Sequence, residues 1–218
     1  MGRAKAELVL GGETMLERQI RLLMTVCGSV AVTGPPRKGS GLAVSLWPDE
    51  LPGRGPLGGI YTALIHTRTE FNFILGCDLP FLEARFLGFL TQRALGAGAE
   101  VTVPEACDSG IQPVCAVYRR HARATVRASL NADLNKTQDL IDRLRSQVIS
   151  WREISQAGFS PRILANMNTP EDYEAARWAA RAAPVRSQKL EIIRDTDTAG
   201  LRAERLPSEG LQGEGLRC

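Results

Sequence analysis

Short apolar runs alternate with amphipathic helical stretches along most of this chain, and that alternation limits the fold more than any other feature. Thr14-Met15-Leu16-Glu17 has the T-x-x-E form of a capping box, and Leu16, Ile20, Leu23 and Met24 follow at helical spacing, predicting a helix to about Val26. Residues 29–33 and 41–46 read as short buried strands, the second ending near Pro48. Two prolines and several glycines between Leu51 and Gly59 predict a loop, with a short helix over 60–66. The apolar run 71–75 predicts a strand ending in Gly76-Cys77-Asp78, because Pro80 forbids its continuation as a central strand. Phe86, Leu87 and Leu90 share a helical face over 83–94, and strands are expected at 101–103 and 113–118. Thr169 as cap, Pro170 at the first helical position and Glu171 and Asp172 in the first turn start a helix to about Ala183. Such an order predicts an α/β fold, a mainly parallel sheet with helices on both faces and right-handed connections.

The 218 residues suffice for one large domain with its own core. A net charge of +3 with scattered Lys and Arg gives no nucleic-acid footprint. No apolar run approaches the ~18 residues of a spanning helix, and no secretory signal opens the chain, so no membrane association and a cytoplasmic location are expected. Five spread cysteines without a CxxC pair argue against disulfides and zinc. His66 and His121 are expected at or near the surface, too few for a histidine-based centre. From Pro184 to Cys218 mixed charges with Gly, Ser and Pro predict a poorly ordered tail.

In an open parallel sheet, ligands bind beyond the carboxyl ends of the strands, where loops and helix N-termini converge. Asp78 falls there, and a carboxylate so placed suits Mg²⁺, which takes one or two carboxylates together with substrate phosphates. Asp49 follows the preceding strand and is expected alongside; from position alone a turn or helix-cap role is the commoner one for either aspartate, and position does not decide. Gly55-Pro56-Leu57-Gly58-Gly59 allows close backbone approach at a helix N-terminus, or forms a plain tight turn. Lys5 suits neutralisation of phosphate charge, or is ordinary solvated surface.

Several segments, in order, resemble the molybdenum cofactor guanylyltransferase family within the nucleotidyltransferases. Met1-Gly2-Arg3-Ala4-Lys5 is similar to the end of that family's L-A-G-G-x-S-x-R-M-G-x-D-K signature, with Lys5 on its lysine. Segment 10–18, Pro48-Asp49, segment 55–60, Gly76-Cys77-Asp78-Leu79-Pro80-Phe81, segment 113–119 and Asn166-Met167-Asn168-Thr169-Pro170-Glu171-Asp172 follow in family order. The resemblance spans about residues 1–183 and implies a Rossmann-like fold of the nucleotidyltransferase type, with 184–218 a tail outside it. It implies GMP transfer from GTP to the terminal phosphate of molybdopterin, with Mg²⁺ and release of pyrophosphate. Lys5 and Asp49 would contact GTP, Asp78 would bind nucleotide and Mg²⁺, Lys5 and Asp78 would be catalytic, and Asn166 and Asn168 would line the pterin side. Molybdoenzymes or cofactor-delivery proteins would be further partners.

The sequence departs from the family pattern in two places. The family's first strand and Gly-Gly turn precede the part of the signature matched at Met1, so a start upstream of Met1 is expected, and Ala4 stands where the family usually has aspartate. A CTP- or sugar-phosphate-using nucleotidyltransferase, or a silent member that only binds cofactor or partner, are the competing readings.

Overall fold

The structure, a computed structural model, describes residues 5–35, 44–134 and 136–182. The expected tail 184–218 and the beginning of the strand expected at 41–46 lie outside the described residues. After a 3₁₀ turn at Lys5–Glu7, β1 (Val9–Leu10) and β2 (Glu13–Thr14) form a small antiparallel pair leading into α1 (Met15–Leu23). The predicted capping box is formed: Thr14 accepts from the Glu17 amide while the Glu17 carboxylate accepts from the Thr14 amide. β3 (Ala31–Thr33) and β4 (Ser45–Trp47) pair in parallel, and α2 (Gly55–His66) leads to β5 (Phe71–Leu75). α3 (Ala84–Gly96), β6 (Val101–Ala106), β7 (Gly110–Ile111), β8 (Cys115–Arg119), α4 (Arg123–Asn131), α5 (Thr137–Arg143), β9 (Ser146–Ile149), α6 (Trp151–Gln156) and α7 (Pro170–Ala182) complete the order.

The sequence places α2 too late. The helix starts at Gly55 instead of residue 60, because Pro56 sits in its first turn, where its missing N–H costs nothing and its fixed φ is already helical. The Gly-rich segment is therefore the helix's first turn.

β5, β6 and β9 share one direction, since β6 pairs in parallel with β9 and both β5 and β6 pair antiparallel with β8. The reversed β8 departs from a purely parallel sheet. Its link to β6 spans only residues 107–114, and a parallel return needs a crossover of about a dozen residues or more.

Helices cover both faces. Alternate residues of β8 divide between two cores: Cys115 and Val117 pack with Phe86, Leu87 and Leu90 of α3, and Ala116 and Tyr118 pack with Leu57, Ile60 and Leu64 of α2. The Tyr118 hydroxyl, fully buried, donates to the Pro113 carbonyl at 2.8 Å, as a buried phenol requires. A third, smaller cluster joins Leu8, Leu10 and Met15 to Met167 and Ala176, fastening the first described residues to α7.

Candidate active site

The carboxyl ends of β3 and β5 and the start of α2 meet at a cavity of about 330 Å³, lined by Lys5, Thr33, Asp49, Gly76 and Asp78 among others. This is the crevice where an open α/β sheet binds ligands, and its size suits a small molecule.

Asp78 stands just past β5 in a turn held from three directions. Its carbonyl accepts from the Met167 amide at 2.7 Å, the Leu79 carbonyl from the Gln19 side chain at 2.9 Å, and the Pro80 carbonyl from Arg18 Nε at 3.1 Å. β5 ends at Leu75, before Pro80 is reached, and the three bonds fix where the carboxylate starts. Gly76 lets it fold back: a Cβ there would lie 3.0 Å from Asp78 Oδ1 and 3.3 Å from Val114 Cγ2. Oδ2 lies 3.6 Å from Lys5 Nζ, and Oδ1 is buried without a hydrogen-bond partner among the described residues.

Lys5 also donates to Asn168 Oδ1 at 2.5 Å, so the structure brings Lys5, Asp78 and Asn168 into one contact chain. Asn168 is held in turn by Asp172, whose Oδ2 accepts from the Asn168 amide at 2.9 Å and the Thr169 amide at 2.8 Å. Those backbone donors, Thr169's first, keep the Asp172 carboxyl below the usual carboxylate range. Asn166 is half-buried two residues earlier and is not among the residues lining the cavity.

Asp49 reaches the same cavity from the loop after β4, and its Oδ1 is also buried without a partner among the described residues. The loop is anchored: the Glu50 amide donates to Thr62 Oγ1 at 3.1 Å, and Arg54 reaches both Asp133 and, at 2.6 Å, the Leu130 carbonyl. His66 belongs to this scaffold, bonded to Glu50 at 2.8 Å and stacked on Trp47, while His121 is about half exposed between Glu70 and Glu100. Neither histidine lines the cavity. Burial, and then the nearby Asp78 charge, push the Cys115 thiol up, and burial pushes Cys27 up to about 12, which makes both poor nucleophiles.

Among the described residues no group of three or more His, Cys, Asp or Glu is arranged to cage a metal. Two buried, unpartnered carboxylate oxygens on one cavity suit a hard divalent cation that draws its remaining ligands from substrate phosphates and water. No described helix is long and apolar enough to cross a membrane.

Sequence reasoning missed Thr33 and Gly34, which line the cavity from the end of β3. Their signal was the one that found Asp78, a position just past a strand's carboxyl end. It also missed Asp172 as the group that holds Asn168; the visible signal was only a helix start.

The architecture is that of the nucleotidyltransferases. Molybdopterin-guanine dinucleotide biosynthesis protein A from Archaeoglobus fulgidus superimposes with a TM-score of 0.72 at 20% identity, over 84% of this chain and 93% of that one. The 2-C-methyl-D-erythritol 4-phosphate cytidylyltransferase of Thermus thermophilus does so with a TM-score of 0.63 at 16% identity, over 81% and 93%. The chain belongs to the MobA-like NTP transferase domain family, whose model matches residues 1–148. A protein of Carboxydothermus hydrogenoformans with the curated name probable molybdenum cofactor guanylyltransferase is 30% identical over 80% of this chain and 87% of its own length. The molybdenum cofactor guanylyltransferase of Desulfosudis oleivorans is 29% identical over 84% and 91%.

Proposed function

We propose that this chain transfers the GMP moiety of GTP to the terminal phosphate of molybdopterin, releasing pyrophosphate. The observation that carries the reading is that Lys5, Asp49 and Asp78 meet at one cavity at the carboxyl ends of β3 and β5, and the curated names of the relatives supply the substrate class. In this reading an oxygen of the acceptor phosphate bonds to the α-phosphorus of GTP while the bond to the β-phosphate bridging oxygen breaks, and pyrophosphate leaves. No covalent enzyme intermediate is needed.

Lys5 offsets charge gathering on the leaving pyrophosphate from its place between Asp78 and Asn168. Asp78, with Asp49 alongside, would hold Mg²⁺, which would supply Lewis-acid polarisation of the phosphoryl oxygens. Asn168 and Asn166, on the segment clamped to the Asp78 carbonyl, face the pterin side and fix the acceptor in line with the α-phosphorus. Residues 1–183 form the transferase domain.

The test is pyrophosphate release by purified protein given molybdopterin and Mg²⁺ with GTP or CTP. Release with GTP, at least about tenfold faster than with CTP, is expected from a base-reading pocket. A preference for CTP, or no release with either, sinks the guanylyl reading.

A further inference from the structure

Gly58, Thr62 and His66 follow one another along α2 at intervals of four and so share one face of the helix. The segment from Trp47 to Arg54, which carries Asp49, lies along that face. At Gly58 the approach is closest: a Cβ there would lie 3.0 Å from the Leu51 carbonyl oxygen and 3.1 Å from Arg54 Cβ, so even a methyl would make the loop give way. Thr62 is fully buried, and its hydroxyl is used in both directions, donating to the Gly58 carbonyl at 2.9 Å and accepting from the Glu50 amide at 3.1 Å. The bond back to Gly58 fixes the hydroxyl's rotamer, and with it the direction from which the Glu50 amide is held. His66 completes the stripe, with Nε2 2.8 Å from Glu50 Oε1 and its ring stacked on Trp47 at 5.4 Å.

Asp49 sits between these held residues. Before it, Trp47 is fixed by the ring stack and by its carbonyl, which accepts from the Gly34 amide at 3.2 Å. After it, Glu50 is fixed at both its amide and its carboxylate. Pro48 locks its own φ, which leaves few free torsions between the two. Asp49 Oδ1, in contrast, is buried at the cavity with no hydrogen-bond partner among the described residues. No such bond holds that oxygen, so its place is inherited from the backbone on either side, and α2 sets that backbone. Gly55, Pro56 and Gly59 of the same helix line the cavity too, so one rigid element fixes both that wall and the carboxylate.

We propose that the Gly58-Thr62-His66 stripe is the positioning device for Asp49, with Thr62 at its centre, and that it acts on the reaction through that carboxylate alone. The inference rests on the reading above in which Asp49 serves the nucleotide side of the transfer. Thr62 touches no reacting atom in it; the hydroxyl holds the peptide next to the residue that does.

The experiment is a double-mutant cycle. Thr62→Val keeps the side chain's shape and removes the hydroxyl. With molybdopterin, Mg²⁺ and nucleotide, kcat/KM is expected to fall about tenfold or more, while Thr62→Ser, which keeps the hydroxyl, stays within about twofold of wild type. Placed in Asp49→Asn, Thr62→Val is expected to cause no further loss, because a residue that acts through Asp49 then has nothing to position. A loss of the same fold in both backgrounds overturns the proposal, as does an unchanged kcat/KM in Thr62→Val or an equal loss in Thr62→Ser. If Thr62→Val fails to fold, His66→Ala, at a partly exposed position, is carried through the same cycle, where coupling to Asp49 is expected and additivity overturns the proposal. GTP and CTP are both assayed and the cycle is read on the faster, so a preference for CTP removes the guanylyl reading and still leaves the cycle to decide this one. If wild type turns over neither, the cycle is read on GTP affinity with Mg²⁺, and a wild type that binds no GTP overturns the proposal.

Discussion

Lys5 and Asn168, 163 positions apart in sequence, share a hydrogen bond of 2.5 Å from Nζ to Oδ1, and the same ammonium lies 3.6 Å from Asp78. The first and last segments of the described fold therefore meet on one cation. If that cation offsets pyrophosphate charge, Lys5→Met lowers kcat by about 10²–10³-fold with a smaller change in KM. Steady-state kinetics checks this, and an unchanged kcat removes Lys5 from the chemistry.

Asp78→Asn keeps the side chain's shape but removes its negative charge from the cavity, which should weaken the binding of any divalent cation held there. Wild-type protein is expected to gain about 2.7 kcal/mol of stability from GTP with Mg²⁺ at about 100 times the dissociation constant, and the variant is expected to lose the part that depends on Mg²⁺. Thermal unfolding with GTP or CTP, with and without Mg²⁺, reads this directly.

Asp172 holds Asn168 by accepting from the Asn168 and Thr169 amides, so if Asn168 positions the acceptor, Asp172 acts through it. Asp172→Ala is expected to lower kcat/KM about tenfold while leaving the affinity for GTP alone unchanged, as expected for a misplaced acceptor side. Its depressed carboxyl sets a sign as well. The stability it contributes is present above its ordinary value of 3.8 and is lost as pH falls through the lower folded value. Urea midpoints of wild type and Asp172→Asn should therefore differ at about pH 6 and converge in strong acid. A constant difference would refute the assignment.

Leu57 is fully buried in α2, in the core that carries the start of that helix to the cavity. Leu57→Ala is expected to cost about 2–5 kcal/mol in denaturant unfolding. Ser150→Ala, which removes the N-cap of α6, should cost only about 1 kcal/mol and leave turnover intact.

Much of this was legible in order and pattern. The run 71–75 closed by Gly76-Cys77-Asp78 and Pro80 marked a strand end, and both capping signals, at Thr14 and at Thr169-Pro170, begin helices where the sequence places them. What stayed hidden depends on contacts distant in sequence. β8 reads as any buried strand, and only the short link after β6 forces its reversal. Gln19 sits on a helix where glutamine is usually solvated, and its burial depends on the Leu79 carbonyl, which no local pattern reports. Asp172 shows an acidic first turn, yet its partners matter because Asn168 then meets Lys5.

One atom that Gly76 lacks governs the reach of the site. A methyl at that position would press between Asp78 Oδ1 and the Val114 side chain, at 3.0 and 3.3 Å, both closer than ordinary van der Waals contact. Even alanine would require the Asp78 carboxylate or the Val114 side chain to give way. The place of the Asp78 carboxylate in the crevice is thus gauged by an empty spot in the backbone, so position 76 sets a tolerance for whatever the cavity binds without touching it.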